Sequence, residues 1–272
     1  MKKFYFLMLC LLTLSVSAIA QTVKSVSSPD GNIKVDVRIG NGITYDVYCG
    51  EEKVLTDCRM SMDIEGNVLG SLPKLQSVKR QKVNDVKRPF LKLKFAEVPN
   101  NYNEMTLVMK GNYSVVFRAY NDGLAYRFVT SLKGEVKVNH EDITVFFPQD
   151  AQLVLQQSDR YRTSYEERYS FVKSSEWLSF QKMAHYPVLA ITSGGTKILM
   201  SESDLCDYPA PFFRSNDANG FSSVFPRVPA VEKPRSDKSN DVLLRHPYIA
   251  KTQGTRSFPW RYFVIAKDEA AL

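Results

Sequence analysis

The sequence predicts an all-β protein, built as one large antiparallel β-sandwich of two facing sheets. Three observations predict it. Apolar and polar residues alternate with period two along many short segments, turn residues separate those segments, and no segment keeps helical apolar spacing for three turns. So many short half-buried strands pair off best as two sheets packed face to face.

The elements follow in chain order. Ile33, Val35, Val37 and Ile39 share one face of a first clear strand. Asn41-Gly42 then offers the φ > 0 turn that hairpins favour, and Ile43, Tyr45 and Val47 resume the alternation. Further strands are expected at Met60–Ile64, Leu91–Phe95, Met105–Met109, Tyr113–Ala119, Leu124–Thr130, Glu135–Val138 and Ile143–Phe147. Pro187–Ile191, Lys197–Met200 and Trp260–Ile265 complete the set. Asn112, Asn121-Asp122-Gly123, Lys133-Gly134 and Gly194-Gly195 supply turns between them. Glu176–Ala184 is the one stretch that suits a short helix. Residues 213–258 combine Pro226, Pro229, Pro234 and Pro247 with many Ser, Asn and Arg. They predict a long irregular segment near the C-terminus with a few short strands.

The first twenty residues read as a cleavable export signal. Lys2 and Lys3 precede the apolar run Phe4–Leu14, and Ala18-Ile19-Ala20 gives a small-x-small cleavage site. The run is shorter than the roughly 20 apolar residues needed to span a membrane, and no later stretch reaches that length. The expected domain is therefore residues 21–272, in an exported, periplasmic protein. The formal net charge is +7, but the basic residues are scattered; the densest group runs from Lys79-Arg80-Gln81-Lys82 to Lys87-Arg88. Nucleic-acid binding requires a clustered basic face, so that class is set aside and the group reads as solvated surface. Beyond the signal the cysteines are Cys49, Cys58 and Cys206, an odd number that leaves at least one free thiol. Whether Cys49 and Cys58 bridge depends on a Cα approach that sequence does not reveal.

Catalytic spacing is absent: there is no GxSxG, no HExxH and no phosphate-binding glycine loop. His140, His185 and His246 lie far apart, and nothing in their spacing assembles the acid and base of a sugar isomerase. Ser164-Tyr165-Glu166-Glu167-Arg168-Tyr169 admits two readings. Its carboxylates either sit on a Ca²⁺ or a sugar, or Glu167 pairs at the surface with Arg160, Arg162 or Arg168 at little energetic gain. One carboxylate pair cannot fill the six to eight oxygen positions around Ca²⁺. Trp177 with Phe180, and Tyr208 with Phe212 and Phe213, would make sugar-stacking faces if exposed and ordinary core if buried.

Five short motifs carry a family resemblance. They are Ser27-Ser28-Pro29-Asp30-Gly31 before an alternating strand; Asn121-Asp122-Gly123-Leu124-Ala125-Tyr126-Arg127-Phe128; Tyr165-Glu166; Glu202-Ser203-Asp204-Leu205 with Asp207-Tyr208-Pro209; and Pro259-Trp260-Arg261. In this order they resemble the N-terminal domain of glycoside hydrolase family 97, the exported bacterial α-glucosidases and α-galactosidases. The resemblance implies a galactose-mutarotase-like supersandwich that precedes a catalytic (β/α)₈ barrel in the same chain. The carboxylate pair that a glycosidase needs lies in or after that barrel, and this sequence ends about where the barrel should begin. It also implies that Glu166 lends one ligand to a Ca²⁺ shared with barrel glutamates, a site expected to be empty without the barrel. The expected substrate is an α-linked oligosaccharide, glucoside or galactoside, and the expected activity of this chain alone is none. Two alternatives stay open: a stand-alone carbohydrate-binding module and a mutarotase-like isomerase.

Overall fold

A computed structural model describes residues 21–91 and 94–272. The expected signal segment 1–20 lies outside the described residues, as does the middle of the expected strand Leu91–Phe95, whose flanks Leu91 and Lys94 are bends.

The chain is strand nearly throughout. In its first half, β1 is Thr22–Ser27, β2 Ile33–Ile39, β3 Ile43–Cys49, β4 Glu52–Ile64, β5 Asn67–Leu69, β6 Leu75–Lys87, β7 Val98–Met109, β8 Tyr113–Tyr120 and β9 Gly123–Phe146. In its second, β10 is Gln152–Ser158, β11 Tyr169–Lys173, β12 Met183–Ile191, β13 Lys197–Ser203, β14 Phe212–Ser215 and β15 Gly220–Val224. Last come β16 Pro229–Ser236, β17 Ser239–Arg245, β18 Ala250–Ser257 and β19 Trp260–Ala266. A single 3₁₀ turn, Glu269–Ala271, is the one helical element among the described residues.

Two runs of antiparallel neighbours form the layers. One passes β6–β7–β8–β9–β19–β13–β12. The other passes β1–β2–β3–β4–β9–β15–β14–β12. β9 belongs to both. Its first half pairs with β8 and β19, its last part with β4 and β15, and the strand turns between them at Gly134, where φ is +69°. β18 follows β9 around this turn. β12 also serves both runs, while β10 and β11 pair outward from it. The sandwich is thus one continuous hydrogen-bonded sheet folded into facing layers. Aromatic rings fill the space between them: Tyr45 of β3 meets Phe117 of β8 at 6.0 Å and Tyr126 of β9 at 5.6 Å.

Alternation explains which strands form. In β2 the residues Ile33, Val35, Val37 and Ile39 are buried and the intervening side chains are not. The β2–β3 hairpin forms in the expected place, Ile39 opposite Ile43, but without the expected left-handed residue at Asn41 or Gly42. Gly42 bridges Ser71 and Leu72 donates its N–H to the Asn41 carbonyl at 3.1 Å, so neighbouring chain holds the turn. The expected helix over 176–184 is absent. Single turns occupy its start, and Met183, Ala184 and His185 join the ladder opposite Ser158, Gln157 and Gln156.

Residues 213–258 carry more strand than their composition suggests. β14 and β15 pair within the sandwich, and β18 runs beside β9. β16 and β17 make a separate exposed ribbon, with Pro229 and Pro234 at positions that an edge tolerates. Cys49 and Cys58 are buried free thiols and Cys206 is an exposed one. Burial pushes the Cys58 thiol up to about 12.

Candidate functional site

Three of the sequence motifs meet inside the sandwich. Glu202 of β13 stands opposite Arg261 of β19, and Arg261 stands opposite Tyr126 of β9. Cross-strand partners project to the same side of a sheet, here the inner one. The Arg261 guanidinium, fully buried, reaches across to Glu141 on the part of β9 that belongs to the other layer. It donates from Nε to Oε1 at 3.0 Å and from Nη2 to Oε2 at 2.7 Å, a bidentate pair. Its Nη1 donates to Glu202. One cation therefore ties two carboxylates from facing layers. Tyr126, Tyr186 and Tyr208 surround this triad, and burial holds all three hydroxyls well above their usual range.

Glu202 is the titratable member. Burial raises its carboxyl to about 7, and the Arg261 charge offsets only part of that. The folded state thus holds this proton more tightly than the unfolded chain. The contribution to stability is full below the ordinary carboxylate range and is lost as pH rises through about 7. Glu202→Gln removes the titration. The unfolding free energy of the parent chain, measured by urea titration, should fall relative to Glu202→Gln between about pH 5 and about pH 8. Parallel profiles would contradict this assignment.

Glu166 lies beside this cluster, in the loop between β10 and β11. Tyr165 holds a left-handed backbone, φ +59°, and its ring meets the His185 ring edge-on at 4.5 Å. Burial, then the Glu202 charge, raises the Tyr165 hydroxyl. His185 is buried with Nδ1 3.1 Å from the Tyr186 carbonyl and with no partner for Nε2 among the described residues. The Glu166 side chain is exposed and, among the described residues, bonds to nothing.

The expected surface pairing of Glu167 with Arg160, Arg162 or Arg168 does not form among the described residues. Its carbonyl accepts from Gln156 at 2.6 Å, and Arg162 pairs with Asp241 instead. No three His, Cys, Asp or Glu side chains among the described residues come close enough to hold a metal. A Ca²⁺ needs six to eight oxygens, so these residues alone do not fit one; Glu166 would be a partial contribution. The three histidines stay apart: His140 packs on Phe225 and His246 stacks on Tyr248 at 4.8 Å.

Of the aromatics considered for sugar stacking all but one are core; Phe180, beside Trp177, is 80% exposed. Trp177 is 1% exposed, Phe213 is fully covered, and Tyr208 and Phe212 are buried with them. Trp177 packs on Phe221 and donates its indole N–H to the Lys182 carbonyl at 3.2 Å. Sequence reasoning also missed Glu141, although a signal existed. Glu141-Ile143-Val145, Ile198-Met200-Glu202 and Arg261-Phe263-Ile265 each put one charge in phase with an inward apolar series.

The fold and site define one all-β sandwich domain with a buried Arg–Glu triad at its centre and an exposed Tyr–Glu loop beside it. The family model described as glycosyl-hydrolase 97 N-terminal matches residues 26–272, and the chain belongs to that family. A retaining α-galactosidase of Bacteroides thetaiotaomicron is 35% identical over 289 residues, covering all of this chain but 43% of the relative's length. Among solved structures, a glycoside hydrolase family 97 enzyme from Pseudoalteromonas sp. strain K8 in complex with acarbose superposes with a TM-score of 0.75 at 19% identity. The match covers 91% of this chain and 36% of that one. A β-arabinopyranosidase superposes equally well, TM-score 0.75 at 20% identity, over 90% and 40% of the two chains. These two likenesses show the shared fold.

Proposed function

We propose that this chain is the non-catalytic N-terminal domain of an exported family 97 α-glycoside hydrolase. In that role it supports a catalytic barrel and lends Glu166 to a Ca²⁺ at the domain boundary. The observation that carries the reading is the Tyr165–Glu166 loop. The ring is anchored on His185 beside the buried triad, while the carboxylate points to solvent without a partner among the described residues. A carboxylate on an anchored loop suits a ligand completed from another domain. When bound, Ca²⁺ supplies a fixed positive charge at the boundary; this chain's part is to present the loop. The relative's name, retaining α-galactosidase, favours an α-galactoside as substrate of the whole enzyme. The N-terminal signal pattern favours export to the periplasm.

The test has two arms. Residues 21–272 alone should not hydrolyse p-nitrophenyl α-galactoside or α-glucoside with Ca²⁺ present; clear turnover would overturn the non-catalytic role. Joined to the barrel portion of the Bacteroides relative, the chain should support Ca²⁺-dependent turnover. There Glu166→Gln should raise the Ca²⁺ needed for half-maximal activity by about tenfold or more. An unchanged requirement would remove Glu166 from the shell and leave the first arm standing.

A further inference from the structure

The outer face of the layer that contains β8, β9 and β19 has an unusual relief. The register sets three rows across these strands. Val116 and Arg127 form one, with Trp260 packed against Arg127 at its end; Arg118, Ala125 and Tyr262 form the next; Tyr120, Gly123 and Val264 the third. Partners in a row project to the same side, so in the last two rows the middle strand offers only Ala125 and Gly123. Larger side chains rise on both flanks. Two strand spacings separate the flanking backbones, about 9.5 Å, and at one end Arg118 reaches across to the Trp260 indole. The outcome is an open trough of about 390 Å³ with Asp122 at one end and Ser203 near the other. Its floor cannot rise at Gly123, where a Cβ would stand 2.0 Å from the Phe263 carbonyl oxygen.

We propose that this trough binds a neutral pyranose saccharide, with Tyr262 as its aromatic wall and the Arg118–Trp260 contact closing one end. Three features select that ligand. The closed end is preorganised: the Arg118 and Arg127 guanidinium groups lie over the indole of Trp260 at 4.4 and 4.2 Å, and Arg118 also covers Tyr102 at 4.5 Å. Multidentate polar groups stand at the rim, donors on Arg118 and acceptors on Asp122, which suit neighbouring hydroxyls of a sugar ring. Each arginine already has a counter-charge, Arg118 on Glu104 at 2.9 Å and Arg127 near Asp204 at 3.5 Å. With Asp122 added, the trough has no surplus positive charge for an anion. This site is separate from the Glu166 loop and stands whether or not that loop holds a metal.

The chain has two tryptophans, and only Trp260 reaches the surface. Its fluorescence therefore reports on the trough. Titration of residues 21–272 with melibiose or maltose should give a saturable emission change at millimolar concentrations, with matching heats by calorimetry. Ala125→Leu fills the trough and Tyr262→Ala removes the aromatic wall; each should weaken binding by about tenfold. Tyr262→Ala keeps the test open should the leucine variant fail to fold. No saturable signal with either disaccharide, binding unchanged in a folded variant, an equal response to glycerol, or a response to phosphate alone would each overturn the proposal.

Discussion

Replacing Arg261 with methionine is expected to lower the unfolding free energy by about 3–5 kcal/mol. The guanidinium is wholly covered, and it satisfies Glu141 twice and Glu202 once. Removing it leaves two carboxylates facing each other across the core with neither water nor a cation to answer them. The loss comes from the stranded charges more than from the pair's own attraction, because forming a buried ion pair costs desolvation nearly equal to its Coulomb gain. A triple variant with apolar residues of similar size at Arg261, Glu141 and Glu202 should therefore recover most of the loss. Guanidinium chloride titration near neutral pH measures both. The single variant should also move Glu202 further toward its protonated form, since Arg261 is what opposes burial there. A loss below about 1 kcal/mol would mean that the triad is hydrated, as exposed pairs are.

The triad also shows where sequence reading reached and where it stopped. Strands with one buried face were legible, because burial imposes the alternation seen in Ile33–Ile39 and Tyr113–Tyr120. β6, β16 and β17 were not. Their side chains are nearly all exposed or half-buried, so no apolar phase marks them, and Lys79, Lys82 and Lys87 on β6 read only as charge. Lysines along such a strand protect an edge from pairing with other chains, a role invisible without the neighbour. At the candidate site, Glu166 came from family resemblance and not from spacing. Glu141 and Arg261 were legible in principle, as charges in phase with buried neighbours. Their meeting was not, because it depends on β9 crossing from one layer to the other. The trough under Trp260 is further out of reach: it exists because Ala125 and Gly123 fall in register between larger residues on β8 and β19.

Trp177→Ala should cost about 3–5 kcal/mol, within the range for emptying a large buried aromatic site. The indole is 1% exposed in the turns after β11, packs against Phe221, and holds the Lys182 carbonyl just before β12 begins. Losing it opens a cavity against β15 and leaves that carbonyl without its donor. Trp177→Phe keeps much of the volume and loses the N–H, so it should cost less, with roughly 1 kcal/mol attributable to the hydrogen bond. Urea unfolding midpoints separate the two variants. The same pair distinguishes core from ligand platform. In the phenylalanine variant, under conditions where it stays folded, saccharide titration followed at Trp260 should be unchanged. A weakened saccharide response there, with the fold intact, would return Trp177 to the role of a binding surface and contradict its burial.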